Sequence, residues 1–156
     1  QKPVLTGIVA SSPGLRSSLE QQKLKVALVK RISGFFPKLS IPTGLNPEHL
    51  SRDAEVVRNY RSDSLVHNQA SLQMANTMLG MISFVFDHAA ELRLPVLILH
   101  GPADQIVYPC GSTEFADKVR CECTLRLWED CYHETHNEPE KAAVFSYVTH
   151  WLESRL

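Results

Sequence analysis

Apolar positions along the chain fall into two regimes, short uninterrupted runs and longer stretches with helical spacing. The clearest run is Leu94-Pro95-Val96-Leu97-Ile98-Leu99-His100-Gly101-Pro102-Ala103-Asp104-Gln105-Ile106-Val107. Its apolar half shows no alternation, begins at a proline and stops at Gly101-Pro102. That pattern predicts a strand covered on both faces inside a parallel sheet, with Asp104 delivered into the loop beyond it. Residues 4–10, rich in β-branched side chains and closed by Ser11-Ser12-Pro13-Gly14, predict a first buried strand. Thr124-Leu125-Arg126-Leu127-Trp128 predicts a third.

Between these runs the period lengthens. Over residues 68–92, Leu72, Ala75, Leu79, Ile82, Val85, Phe86 and Ala89 recur at helical spacing, and Met74 and Met78 lie one turn apart on the same stretch. Such a methionine pair suits core filling or an adaptable apolar pocket. Asn46-Pro47-Glu48 has an N-cap followed by proline at the first helical position, and Ser51 or Asp53 can cap residues 55–60. Ser112 can cap a helix over 113–119. Pro139 opens a last helix, in which Val144, Phe145, Val148, Trp151 and Leu152 are the expected buried stripe. The order is strand, helical insert, strand, helix, strand, helix. It predicts an α/β fold with a piece of parallel sheet.

Composition narrows the partners. The chain has 156 residues and a net charge of −1, which gives one domain with a core and no electrostatic reason to expect nucleic acid. No run is long enough to span a bilayer, and the first residues lack a signal-peptide layout. The first residue is Gln1, so a segment in front of it, a processed piece or a whole domain, is expected. Cys110, Cys121, Cys123 and Cys131 all lie in the last third with no zinc-type spacing, and predict reduced thiols in a cytoplasmic protein. Residues 21–42 hold five basic side chains and no acidic one. They form either a solvated surface helix or an interfacial lid that would give membrane-peripheral contact.

The candidate chemistry sits after the strands. In a parallel sheet the loops after neighbouring strands open at one edge, so Asp104 and the imidazole of His133 or His136 can meet. A buried carboxylate accepting an imidazole N–H fixes the tautomer that lets the other nitrogen take a proton. In His133-Glu134-Thr135-His136 the histidines are three residues apart in a loop, and a helical zinc site needs them four apart; no metal is expected.

These residues resemble a family. Pro95-Val96-Leu97-Ile98-Leu99-His100-Gly101, Ala103-Asp104, Tyr132-His133-Glu134 and Asn137-Glu138-Pro139-Glu140 look like the C-terminal part of the monoacylglycerol lipase and lysophospholipase group of α/β-hydrolases. Leu50-Ser51-Arg52-Asp53 and Asp63-Ser64-Leu65-Val66-His67 are similar to the cap of its bacterial-type members, with Ser64 where proline is more usual. The resemblance implies a core strand within residues 1–14, a helical cap over 15–70 and the C-terminal part of the hydrolase core over 71–156. It makes Asp104 the acid and His133 the base of a Ser-Asp-His triad, with Val107, Met74 and Met78 bordering the acyl pocket. No cofactor is implied. The substrate implied is a lipid monoester.

The chain departs from the family at one point: no Gly-x-Ser-x-Gly occurs in it, so the nucleophile is expected outside this chain. The expected partner is an N-terminal half of the hydrolase or a second copy, which would also cover an unpaired sheet edge. The alternative is a non-catalytic fragment or degenerate hydrolase that acts as a lipid-binding or assembly module. An epoxide hydrolase or dehalogenase with an Asp nucleophile is a third reading, and only the cap and the residues around His133 count against it.

Overall fold

The computed structural model describes residues 5–18 and 22–155. The predicted start of the first strand at Val4 and of the basic stretch at Gln21 lie outside the described residues. Three parallel strands, β1 (Ile8–Ser11), β4 (Val96–His100) and β5 (Cys123–Leu127), form a sheet in the order β1-β4-β5. Ile8 pairs with Val96, and Val96 with Cys123.

β4 has a neighbour on each side and every one of its five residues is buried, as its unbroken apolar run predicts. Its side chains alternate between faces. Leu97 and Leu99 pack with Val144 and Trp151 of α5 (Lys141–Glu153), and Trp128, Tyr147 and Val148 close the cluster. On the opposite face Ile98 and His100 are fully buried, and His100 meets Ser112 of α4 (Pro109–Lys118). The sheet is therefore the middle of three layers.

The segment between β1 and β4 carries α1 (Lys23–Ser33), β2 (Ser40–Pro42), α2 (Ala54–Ser62), β3 (Gln69–Ser71) and α3 (Leu72–Asp87). α2 starts where Asp53 Oδ1 accepts from Glu55 N at 2.8 Å. A 3₁₀ turn, Pro47–His49, is capped by Asn46.

Several predicted boundaries change. β1 is not buried throughout: among the described strands it pairs only with β4, and Val9 is 38% exposed. The predicted helix over 68–92 divides into β3, α3 and a 3₁₀ turn at Ala89–Glu91, because the Ser71 hydroxyl accepts from Met74 N at 3.1 Å and starts the helix there. β2 and β3 form an antiparallel ribbon that three-residue strands could not announce by period. α4 starts at Pro109, so Ser112 is not its cap but a buried residue within it. α5 starts two residues beyond Pro139, and of its predicted stripe only Val144, Val148 and Trp151 face the core; Phe145 and Leu152 are exposed.

Candidate active site

The loops after β4 and β5 are drawn into contact by one glycine. A Cβ on Gly101 would lie 2.1 Å from the Cys131 carbonyl oxygen and 2.2 Å from that of Tyr132, so only glycine lets the two backbones approach this closely. The same approach lets Ala103 N donate to Cys131 O at 3.2 Å.

Asp104 lies in the first of these loops with 4% of its surface exposed. Its Oδ1 accepts from Ile106 N at 2.8 Å and Val107 N at 3.0 Å. Its Oδ2 accepts from His133 Nδ1 at 2.8 Å and lies 3.2 Å from His100 Nε2. Burial alone would raise the pKa of this carboxyl group. The donors from His100, His133 and Val107 N outweigh burial and hold it well below the usual carboxylate range. The side chain is thus an oriented anion at neutral pH.

His133 lies in the second loop with 24% of its side chain exposed. With Nδ1–H given to Asp104, Nε2 is the nitrogen with a free lone pair. Its backbone is held from three sides. The Ser12 hydroxyl, from the turn after β1, donates to His133 O at 2.6 Å; Ser12 sits at φ 42, a left-handed position. His133 N reaches His49 O at 3.4 Å, and Glu134 N donates to Leu50 O at 2.8 Å.

A second buried carboxylate locks this loop. Glu138 is fully buried; its Oε1 accepts from Tyr132 N at 2.6 Å, and its Oε2 from Arg52 N at 3.2 Å and Arg52 Nε at 3.1 Å. Arg52 also pairs with Glu140, and the Ser51 hydroxyl donates to Asn137 O at 2.9 Å. The segment before α2 and the His133 loop therefore share one hydrogen-bonded network.

The other expected residues are spread out. Val107 is half-buried beside Asp104, through the N–H it gives to that carboxylate. Met74 and Met78 lie one turn apart on α3, 55% and 53% exposed. His136 is exposed. The four cysteines are free thiols, and burial pushes those of Cys131 and Cys123 up. Among the described residues no group of three His, Cys, Asp or Glu side chains could hold a metal, and no helix is long and apolar enough to cross a membrane.

Sequence reasoning missed the parts played by His100, Ser112 and Ser12. The one legible signal was His100 itself, a polar side chain as the last residue of a fully apolar run, where a buried imidazole must find partners.

Parallel strands between two helical layers, with a carboxylate and an imidazole joined at the strands' carboxyl edge, define an α/β-hydrolase fold. Residues 1–140 match the Hydrolase_4 family, described as serine aminopeptidase, S33, and the chain belongs to that family. It is 34% identical over 152 residues to an uncharacterized abhydrolase domain-containing protein of Dictyostelium discoideum, a match that covers 96% of this chain and 16% of that protein. It is 31% identical over 153 residues to the monoacylglycerol lipase of Mycolicibacterium smegmatis, covering 97% of this chain and 54% of that enzyme. The crystal structure of Paleococcus ferrophilus monoacylglycerol lipase superposes with a TM-score of 0.93 at 31% identity, over 97% of this chain and 60% of that one. The chain thus spans about half the length of these two lipases. The fold is monoacylglycerol lipase-like, and the family is one of lipase- and esterase-like hydrolases.

Proposed function

We propose that this chain supplies the acid and base of a carboxylic ester hydrolase acting on fatty monoesters, monoacylglycerols or lysophospholipids, with the serine nucleophile carried outside this chain. The observation that carries the reading is the 2.8 Å contact from His133 Nδ1 to an Asp104 carboxylate that also accepts two backbone N–H groups and lies 3.2 Å from His100 Nε2. His133 Nε2 takes the proton of the attacking serine hydroxyl as its oxygen bonds to the ester carbonyl carbon. It then returns that proton to the leaving alcohol as the ester C–O bond breaks. In the second half-reaction it takes a proton from the water that attacks the acyl-serine and gives it to the serine oxygen as the fatty acid leaves. Asp104 stabilises the imidazolium in between. Val107, Met74 and Met78 border the acyl path, residues 15–70 form the cap, and the cap's basic and apolar surface gives peripheral contact with lipid in the cytoplasm.

The partner is a polypeptide carrying the N-terminal half of the hydrolase, docked on the free edge of β1. Support comes from the chain's coverage of 54% of the Mycolicibacterium lipase and from the single pairing of β1 among the described strands.

The family description raises a peptide substrate as the rival, since the same acid and base can serve an amide. The lipase relatives favour the ester. The test joins this chain to the nucleophile-bearing half of the Mycolicibacterium lipase and supplies a monoacylglycerol and an aminoacyl anilide in parallel. Hydrolysis of the ester alone is expected. Preference for the anilide would replace the ester reading, and no turnover of either, from a folded fusion, would favour a lipid-binding or assembly module.

A further inference from the structure

His100 has no part in proton transfer to a substrate, yet it is one of the most enclosed polar side chains in the molecule. It is the last residue of β4, fully buried, on the face that meets α4. Its Nε2 is hydrogen-bonded to Val107 O at 3.2 Å and also lies 3.2 Å from Asp104 Oδ2. Both are acceptors without a proton to give, so Nε2 carries the hydrogen. Its Nδ1 lies 2.7 Å from the hydroxyl of Ser112, which is also fully buried. A buried hydroxyl must place its proton, and Nδ1 is the acceptor it meets. Ser112 therefore donates to Nδ1, which fixes the ring as the Nε2–H tautomer.

We infer that His100, locked by Ser112, is a positioning residue of the site: its Nε2–H is given to the carbonyl of Val107, whose own N–H grips Asp104, and its ring edge lies beside the carboxylate oxygen that receives His133, so that it sets the direction of the Asp104–His133 hydrogen bond. The inference rests on the Asp104–His133 pair of the hydrolase reading. The two backbone donors fix Oδ1 alone, and a carboxylate held by one oxygen can still swing about its Cβ–Cγ bond. The other occupant of Oδ2, His133, is on a loop and partly exposed. His100 is anchored at the end of the central strand, so it is the rigid partner of the two. Asp104 thereby has two donors on Oδ1 and the Nε2 edge of His100 beside Oδ2 before His133 arrives, and the imidazole docks onto a surface that is already set.

A space-filling role would need only the ring's volume, whereas this role needs a donor at the Nε2 position. Glutamine at 100 can place an amide N–H near that position; asparagine, one carbon shorter, places its amide near Nδ1 and addresses Ser112 instead. The experiment follows the downfield Nδ1–H proton of His133 by NMR in the full chain and measures its exchange with water. His100→Asn is expected to speed exchange by about tenfold, the scale of one charge-assisted hydrogen bond, and His100→Gln to return it to within about threefold of the parent. Circular dichroism monitors folding of both variants. An Asn variant that is folded and exchanges no faster than the parent overturns the inference. So does a nitrogen spectrum of the unsubstituted chain with the proton of His100 on Nδ1, a measurement that needs no variant to fold. Neither readout depends on turnover, so failure of the ester-hydrolase reading would leave them standing, and their failure would leave that reading untouched.

Discussion

Asp104 and Glu138 are both buried carboxylates within a few ångströms of the His133 loop, and their partners give them different work. Asp104 is ringed by imidazole and backbone donors and faces the partly exposed imidazole of His133. Glu138 faces a guanidinium and two backbone N–H groups, which makes it a clamp. Removing Arg52 leaves the Glu138 charge buried with one partner fewer. Because Arg52 is itself 28% exposed, Arg52→Ala is expected to cost about 2–3 kcal/mol, below the range for a fully buried pair, measured by urea denaturation. Asp104 predicts a pH dependence. Its folded pKa lies below the unfolded value of about 3.9, so it contributes stability that is complete above that value and is lost as pH falls through the lowered folded pKa. The stability gap between the parent and Asp104→Asn should therefore close as pH drops below about 4, read from urea midpoints in acid; a gap that widens there would contradict the hydrogen-bonded anion.

At the level of elements, the helix and strand ends that matter are those that bring two loops together. Gly101→Ala must force apart the β4 and β5 loops, because the contacts its Cβ would meet are backbone carbonyls that cannot swing aside. It is expected to cost at least about 3 kcal/mol by thermal or urea unfolding and to abolish the downfield His133 proton. On α5, Trp151→Ala opens the core beneath β4 and should cost about 3–5 kcal/mol, whereas Phe145→Ala, on the exposed face, should stay within about 0.5 kcal/mol. That pair of outcomes also marks the limit of reading helix faces from sequence. Val144, Phe145, Val148, Trp151 and Leu152 are apolar on adjacent faces, and periodicity alone cannot say which face meets the sheet. β4 was legible because a strand covered on both faces is apolar at nearly every position; β1 resembles it in composition but is only partly covered, which no local pattern records. The β2–β3 ribbon is too short for any period. Asp104 and a histidine facing it were legible because a topology with parallel strands brings successive loops to one edge; that the histidine is His133 and not His136 came from the family resemblance. Ser12 and Ser112 were not, since a serine in a turn or near a proline has commoner uses as a cap.

At the scale of the whole molecule, three parallel strands are layered between helices; among the described residues β1 and β5 each leave an edge unpaired, and apolar side chains are exposed at Leu5, Val9, Phe145 and Leu152. Such an edge is a template for another strand. Light scattering of the chain by itself is expected to give a mass above that of one copy, reduced when an N-terminal hydrolase half is added and a defined complex forms. A monodisperse monomer at high concentration would contradict the docking proposal. The most direct test of the account is the hydrolysis of a monoacylglycerol by this chain joined to a nucleophile-bearing half, compared with the same fusion carrying His133→Ala or Asp104→Asn. The acid–base assignment predicts a kcat lower by about 10³-fold or more for His133→Ala and about 10⁴-fold for Asp104→Asn, with KM little changed. Full activity in the folded His133→Ala fusion would contradict it.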